Sequence, residues 1–292
     1  MPSTRDIRRR IKSVKNTAQI TKAMQMVAAS KMRKAQQSAL AGRPYAALMN
    51  EVLGEVSFNA GDFTHPLMEK REVRKRGVIV IGTDKGLCGA LNSNLLREAA
   101  KFDKERTSYV TAGRKASQFI ARTKRHLAAE FTYKDAPLFS EARAISRFAR
   151  EMFIKGEVDQ VDILFTNFIS TLTQKPDSLQ LLPVGEIKGV TAGVHGAGQS
   201  EKLLKGATEF LFEPSPESVL GELLPHYLNF QVYQILLEAK ASEHSARMVA
   251  MKNATDNANQ LIKDLTLEYN KLRQANITKE LLEIASAQMG MG

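Results

Sequence analysis

From His226 to Met289 the chain contains neither glycine nor proline. Inside a helix proline costs roughly 3 kcal/mol and glycine roughly 1 kcal/mol, so a long absence of both permits one unbroken helix. Small and apolar residues recur through the stretch at three- and four-residue steps: Ile235, Ala239, Ser242, Ala246, Ala250, Ala254, Ala258, Leu261, Leu265 and Leu272. That spacing lines one face of a helix. At about 1.5 Å per residue the rod is on the order of 90 Å long, and a helix of that length needs a partner along its face.

The partner is legible at the other end of the chain. Residues 3–41 also lack glycine and proline, with Ser3 or Thr4 placed as N-cap and Asp6 in the first turn, where a negative charge suits the helix dipole. Ile7, Ile11, Val14, Ala18, Thr21, Met24, Ala28, Met32, Ala35 and Ala39 form its stripe. Gly42 and Pro44 interrupt it, and Tyr45–Phe58 continues helically to a break at Asn59–Gly61. Both stripes are rich in alanine, which lets two helix axes approach closely. The expectation is an antiparallel coiled coil of the N- and C-terminal helices.

The formal charge of +11 points to an acidic partner, and its distribution is uneven. Residues 1–44 carry eleven basic side chains against the single acid Asp6, whereas residues 226–292 carry seven of each sign. One cysteine, Cys88, excludes an internal disulfide and a cysteine-based zinc site. No apolar run reaches the length of a membrane span, and no apolar segment follows the basic N-terminus as in a secretory signal.

Between the helices the pattern changes. Gly77–Gly82 encloses a Val-Ile-Val-Ile run typical of a buried parallel strand. The alternation that follows reads as helix Leu91–Arg106, strand Ser108–Ala112, helix Gly113–Thr123, strand His126–Tyr133, helix Ser140–Gly156 capped by Ser140, and strands Gln160–Thr166 and Leu179–Val184. Thr208–Phe212 is expected as an edge strand, after a glycine-rich loop at Gly185–Gly206. Alternating strands and helices predict an inserted Rossmann-like α/β domain with a largely parallel sheet. The division is therefore an N-terminal helix segment (1–58), an inserted domain (75–213) and a C-terminal helix (217–289).

Candidate chemistry is sparse. The loop Gly82-Thr-Asp-Lys-Gly-Leu-Cys-Gly89 follows the first strand and precedes a helix, where backbone N–H groups could cradle phosphate. Its spacing fits neither the dinucleotide nor the P-loop fingerprint, and Asp84 in its middle repels phosphate, so it reads as a structural turn. Cys88 has no recognisable basic partner and reads as a small buried residue. Asp159 and Asp162 read as solvated surface, and Met24, Met26 and Met32 as packing and contact residues. No catalytic site, cofactor site or metal site is predicted. A nucleotide-dependent enzyme on the α/β insertion and a nucleic-acid-binding coiled coil are the alternatives that composition alone leaves open.

Four segments are specific in combination. Ile7–Lys34 (IRRRIKSVKNTAQITKAMQMVAASKMRK), Thr83–Ala90 (TDKGLCGA), Ser245–Asn257 (SARMVAMKNATDN) and Tyr269–Leu281 (YNKLRQANITKEL) resemble, in order, segments of the gamma subunit of bacterial F-type ATP synthase. The resemblance implies a non-catalytic central rotor whose paired helices enter the ring of alpha and beta subunits. Its α/β domain would sit near the epsilon subunit and the membrane c-ring. Ion flow would turn this shaft and change the affinities of successive beta subunits for ADP, phosphate and ATP. It also implies a peripheral position on the cytoplasmic face of the bacterial inner membrane, with no direct membrane insertion and no nucleic acid.

Residue by residue, the resemblance implies partner contacts. Met24 would meet the beta-subunit lever, Lys85 an acidic beta-subunit loop, and Gln274 and Thr278 the upper beta-subunit catch, while Arg247 would couple to the Met24 region. Without the resemblance, Met24 belongs to the packing stripe, Lys85 to a solvated turn, and Arg247, Gln274 and Thr278 to exposed helix positions. The ending LEIASAQMGMG departs from the family's glycine-alanine terminus, and the paired-cysteine insertion of chloroplast members is absent.

Overall fold

The computed structural model describes residues 3–59, 65–185, 213 and 215–289. The stretch 186–206 and the expected strand Thr208–Phe212 lie outside them. The chain divides into two compact units, one of residues 1–27 with 248–292 and the other of residues 28–247.

The first unit holds the start of helix α1 (Thr4–Ala41) and the last part of helix α6 (Pro216–Met289). The least exposed positions of α1 here are Ile7, Ile11, Val14, Ala18 and Thr21, and those of α6 are Met251, Thr255, Ala258, Ile262, Leu265, Tyr269 and Leu272. Both series alternate steps of four and three, the 3.5-residue period of a left-handed coiled coil. The contacts fix direction. The Arg8 guanidinium bonds the Tyr269 hydroxyl, and the buried hydroxyls of Thr21 and Thr255 lie 2.7 Å apart. As one number rises by thirteen the other falls by fourteen, so the helices run antiparallel. This register puts Ala18 level with Ala258, two small residues at the seam.

The α6 seam differs from the predicted stripe. Leu261 is 47 % exposed, and Thr255, Ile262 and Tyr269 stand in the seam instead. A uniform four-residue stride through Ala250, Ala254 and Ala258 drifts around the helix, and a threonine in the seam escapes a search for apolar residues. Beyond Leu272 the side chains through Ser286 are all exposed, including Ile277, Leu281, Leu282 and Ile284.

The second unit is built on five strands: β1 (Arg76–Ile81), β2 (Thr107–Ala112), β3 (His126–Phe131), β4 (Gln160–Phe168) and β5 (Gln174–Leu182). Their order is β3-β2-β1-β4-β5, parallel except that β5 runs antiparallel to β4. The strand predicted at Leu179–Val184 thus begins earlier and closes a hairpin with β4. Pro176, which cannot donate to a ladder, sits on this edge strand.

Successive residues of β1 face opposite sides, and both sides are buried. Val78 and Val80 pack with Leu95 and Ala99 of α3 (Leu91–Ala100) and Ile120 of α4 (Arg114–Arg122). Ile79 and Ile81 belong to the core formed with α2 (Arg43–Asn59), α5 (Phe139–Ile154) and the first turns of α6. Burial on both faces explains why the strand is an unbroken apolar run.

Several predicted boundaries move. α3 stops at Ala100 rather than Arg106, because Asp103 Oδ1 accepts the N–H groups of Glu105 and Arg106 and turns the chain into β2. α5 is capped at Leu138 rather than Ser140, with the Glu141 carboxylate accepting the Leu138 N–H at 2.8 Å. α6 starts at Pro216 and runs through Gly221 and Pro225. There Leu220, Leu224, Tyr227 and Leu228 are at most 3 % exposed. Each buried side chain of this size contributes about 1.5–3 kcal/mol, which together outweighs the roughly 3 kcal/mol proline penalty. Between α1 and α2, a Cβ on Gly42 would fall 1.9 Å from Gln234 Nε2, so a larger residue there would require the Gln234 side-chain amide to move.

Candidate functional site

In a sheet ordered this way, the topological switch point lies between β1 and β4, and ligands of such folds bind in the crevice at the carboxyl ends of these strands. Here that crevice is occupied by one turn of α6. The Ser242 hydroxyl donates to the Thr166 carbonyl at 2.9 Å, and the Ser245 hydroxyl to the Thr171 carbonyl at 2.8 Å. Ala246 packs on Cys88 and Leu91. The loop after β1 is tied down as well. Asp84 Oδ1 accepts the Arg114 N–H at 3.0 Å, placing a carboxylate at the N-terminus of α4, where a phosphate would otherwise be favoured. Gly113, at φ +106°, lets the chain pass the Gly82 carbonyl, 2.5 Å from where a Cβ would stand. The expected structural turn is what the structure shows.

The same turn of α6 carries a cluster of buried charges that the sequence reading missed. Glu243 Oε2 lies 3.0 Å from Lys240 Nζ, and Glu243 Oε1 lies 2.7 Å from Arg247 Nη2. The side chains of Lys240 and Glu243 are 2 % and 3 % exposed. Lys240 also reaches Asp135 at 3.7 Å and lies 4.4 Å from the centre of the Tyr133 ring. Asp135, in the loop between β3 and α5, pairs with Lys31 of α1. Tyr133 donates its hydroxyl hydrogen to the Gly82 carbonyl at 2.9 Å.

Electrostatics follow from these contacts. The hydrogen bond from Lys31 holds the Asp135 carboxyl at about 2, well below its usual value. Burial raises the Tyr133 hydroxyl far above its ordinary range and raises the Cys88 thiol. His244, 2 % exposed, is pushed by burial down to about 4 and is therefore neutral at physiological pH. Its Nδ1 accepts from Arg247 at 3.4 Å. The spacing Lys240, Glu243, Arg247 is the one signal that could have revealed the cluster. It puts three charges on the face that also carries Ala239 and Ala246.

Asp162 requires a correction. It is 4 % exposed in β4, not solvated; burial raises its carboxyl, and Arg76 answers it at 3.2 Å. Asp159 instead accepts the N–H groups of Arg74 and Lys75.

The residues singled out by resemblance fall in different places. Met24 is half-buried on α1, beside the exposed Met26 and Val27. Lys85 is exposed on the loop after β1, its carbonyl accepting from the Thr83 hydroxyl. Arg247 is not an exposed helix position: its side chain is 12 % exposed and donates to the Gly86 carbonyl at 3.3 Å. The structure thus brings Arg247 to the Lys85 loop. Gln274 and Thr278 are exposed one turn apart, joined by a bond from the Thr278 hydroxyl to the Gln274 carbonyl. Among the described residues no group of histidine, cysteine and carboxylate side chains could hold a metal ion.

The described residues thus form an antiparallel pair of terminal helices and an α/β sheet whose crevice at the switch point is filled by one turn of α6. A family model described as ATP synthase matches residues 3–290. The ATP synthase gamma chain of Opitutus terrae is 53% identical over 290 residues, covering 99% of this chain and 98% of that one. That of Methylacidiphilum infernorum is 49% identical over 297 residues, covering all of both. Among solved structures, one described as the central stalk and c-ring of Tetrahymena thermophila mitochondrial ATP synthase matches at TM-score 0.61 and 25% identity, over 80% of this chain and 99% of that chain. A Euglena gracilis mitochondrial ATP synthase chain shares the fold at TM-score 0.66 and 20% identity, over 99% of this chain and 94% of that chain. The chain belongs to the ATP synthase gamma-chain family.

Proposed function

We infer that the chain works as the central rotor subunit of an F-type ATP synthase, carrying torque between ion flow and ATP synthesis or hydrolysis. It is a non-catalytic subunit. The observation that carries this reading is the antiparallel heptad seam of the terminal helices in a chain akin to gamma chains over its whole length. A rotor changes the affinity of a catalytic partner only by making different contacts with each of its conformations, and a stiff, asymmetric helix pair provides such contacts.

The finer assignments are proposals. We propose that the helix segments 1–58 and 217–289 form the shaft and that residues 75–213 form the domain inserted between them. The exposed cations Arg5, Arg9, Arg10, Lys12 and Lys15 of α1 suit acidic surfaces of the alpha and beta ring. The exposed apolar residues Ile277, Leu281 and Ile284 suit an apolar partner surface. Met24, Lys85, Arg247, Gln274 and Thr278 are the proposed points of contact or coupling. The α/β domain would meet the epsilon subunit and the c-ring, at the cytoplasmic face of the bacterial inner membrane. Among the described residues no helix is long and apolar enough to cross a membrane.

Co-purification with alpha and beta subunits, as a single copy per catalytic ring, tests the assignment; a chain that never recruits them would overturn it. Met24→Lys tests the lever contact. It should lower the ions pumped per ATP hydrolysed while leaving assembly intact, and an unchanged ratio removes Met24 from the contact.

A further inference from the structure

The charges of Lys240, Glu243 and Arg247 are an expensive way to hold a helix on a sheet. Taking an ammonium and a carboxylate out of water costs several kcal/mol each, and a buried pair seldom returns more than an apolar pair of similar volume would. Adhesion is already supplied by Ile235, Leu236 and Ala239 on the turns just before. Apolar contact, however, is non-directional: its strength follows buried area and hardly changes when a helix rotates or slides a little. Charge-assisted hydrogen bonds at 2.7 and 3.0 Å are directional and short.

The contacts also form an unbroken chain. It runs from Lys31 on α1 to Asp135 in the β3–α5 loop, then to Lys240, Glu243 and Arg247 on α6, and ends on the Gly86 carbonyl of the loop after β1. Four separate parts of the unit, two of them helices of the shaft segments, are joined through one buried cluster. The Tyr133 ring closes it from the side and anchors its own hydroxyl on Gly82.

We propose that this cluster is a registration joint. Lys240 and Glu243 are its central positioning residues, fixing the rotational and axial setting of α6 in the crevice of the α/β sheet so that the helix cannot slip there under torque. The joint rests on the rotor reading and adds to it the place where torque is handed from sheet to helix. It touches no nucleotide and acts only through the angle at which α6 is held.

A structural role and a registration role make opposite predictions for an apolar replacement. Lys240→Met with Glu243→Met removes both central charges at similar volume, strands no fully buried cation, and leaves Arg247 its bond to the Gly86 carbonyl. In the complete complex, reconstituted in vesicles, the thermal midpoint should stay within a few degrees of wild type and ATP hydrolysis should persist. Ions pumped per ATP hydrolysed should fall about two- to tenfold. Lys240→Arg, which keeps the cation, should restore most of the ratio. A double variant that pumps at the wild-type ratio overturns the joint. Should the double variant not assemble, Lys240→Met alone applies the same test, because Glu243 keeps Arg247 at 2.7 Å while the link to Asp135 is cut. An unaltered ratio there equally overturns it. A wild-type complex that hydrolyses ATP without pumping would instead sink the rotor reading, so the two failures are distinguishable.

Discussion

Two stretches of the same helix are held by opposite means. From Met251 to Leu272, α6 presents a seam of small and apolar residues whose buried polar contact is the Thr21–Thr255 pair. From Lys240 to Arg247 it presents buried charges and serines that bond to loops and strand ends. The first is governed by area and shape, the second by direction. A seam of the first kind tolerates small shifts, whereas the second kind has one satisfactory setting.

The largest effect should come from breaking the charged stretch asymmetrically. Glu243→Ala leaves Lys240 and Arg247 without their shared carboxylate, and urea denaturation of the purified chain should show a loss of about 3–5 kcal/mol. A loss below 1 kcal/mol would mean that the cluster is already compensated by water and that the contrast between the two stretches is false.

Acid should act on the same stretch. His244 titrates at about 4 in the fold against 6.5 as a free group, so the unfolded chain binds the proton first. Stability is full above pH 6.5 and falls as pH drops toward 4, by about 3 kcal/mol. His244→Gln should flatten this arm of a plot of thermal midpoint against pH. Asp135 contributes below it: its depressed carboxyl adds stability that disappears as pH falls from 3.8 toward 2. Solvent around a half-exposed side chain limits that second loss to about 1 kcal/mol.

In the seam the sensitive property is volume. Ala258→Leu inserts three carbons where α1 presents Ala18, and should cost about 1–3 kcal/mol by denaturation. The polar contact should matter least. Replacing both Thr21 and Thr255 by valine removes donor and acceptor together and should change stability by less than about 1 kcal/mol. A large loss from the paired valines would show that the seam, too, is set by direction rather than area.

The legibility of these regions in the sequence follows from the same contrast. The α1 seam and strand β1 were visible because burial there is written in apolar periodicity, Ile7 through Thr21 and Val78 through Ile81. The α6 seam was shifted because Thr255 and Tyr269 carry polar groups into it. The charged cluster was invisible for a stronger reason. Charges on a helix read as solvated, and the groups that face Lys240 from outside its helix are Tyr133 and Asp135, far away in the chain. The direction of β5 was hidden because an edge strand pairs on one side only, and its burial is correspondingly irregular. Asp162 resembles a surface residue in the sequence because its partner Arg76 lies far away in the chain, on the neighbouring strand.

The Asp84 carboxylate at the head of α4 has a consequence for signalling. A subunit that drives ATP chemistry works beside sites that bind and release nucleotide, and a phosphate-receptive helix end in its own α/β domain would make its stiffness depend on the energy charge of the cell. With Asp84 bonded to the Arg114 N–H, that helix end already holds its anion. A phosphate would have to displace that carboxylate to bind there.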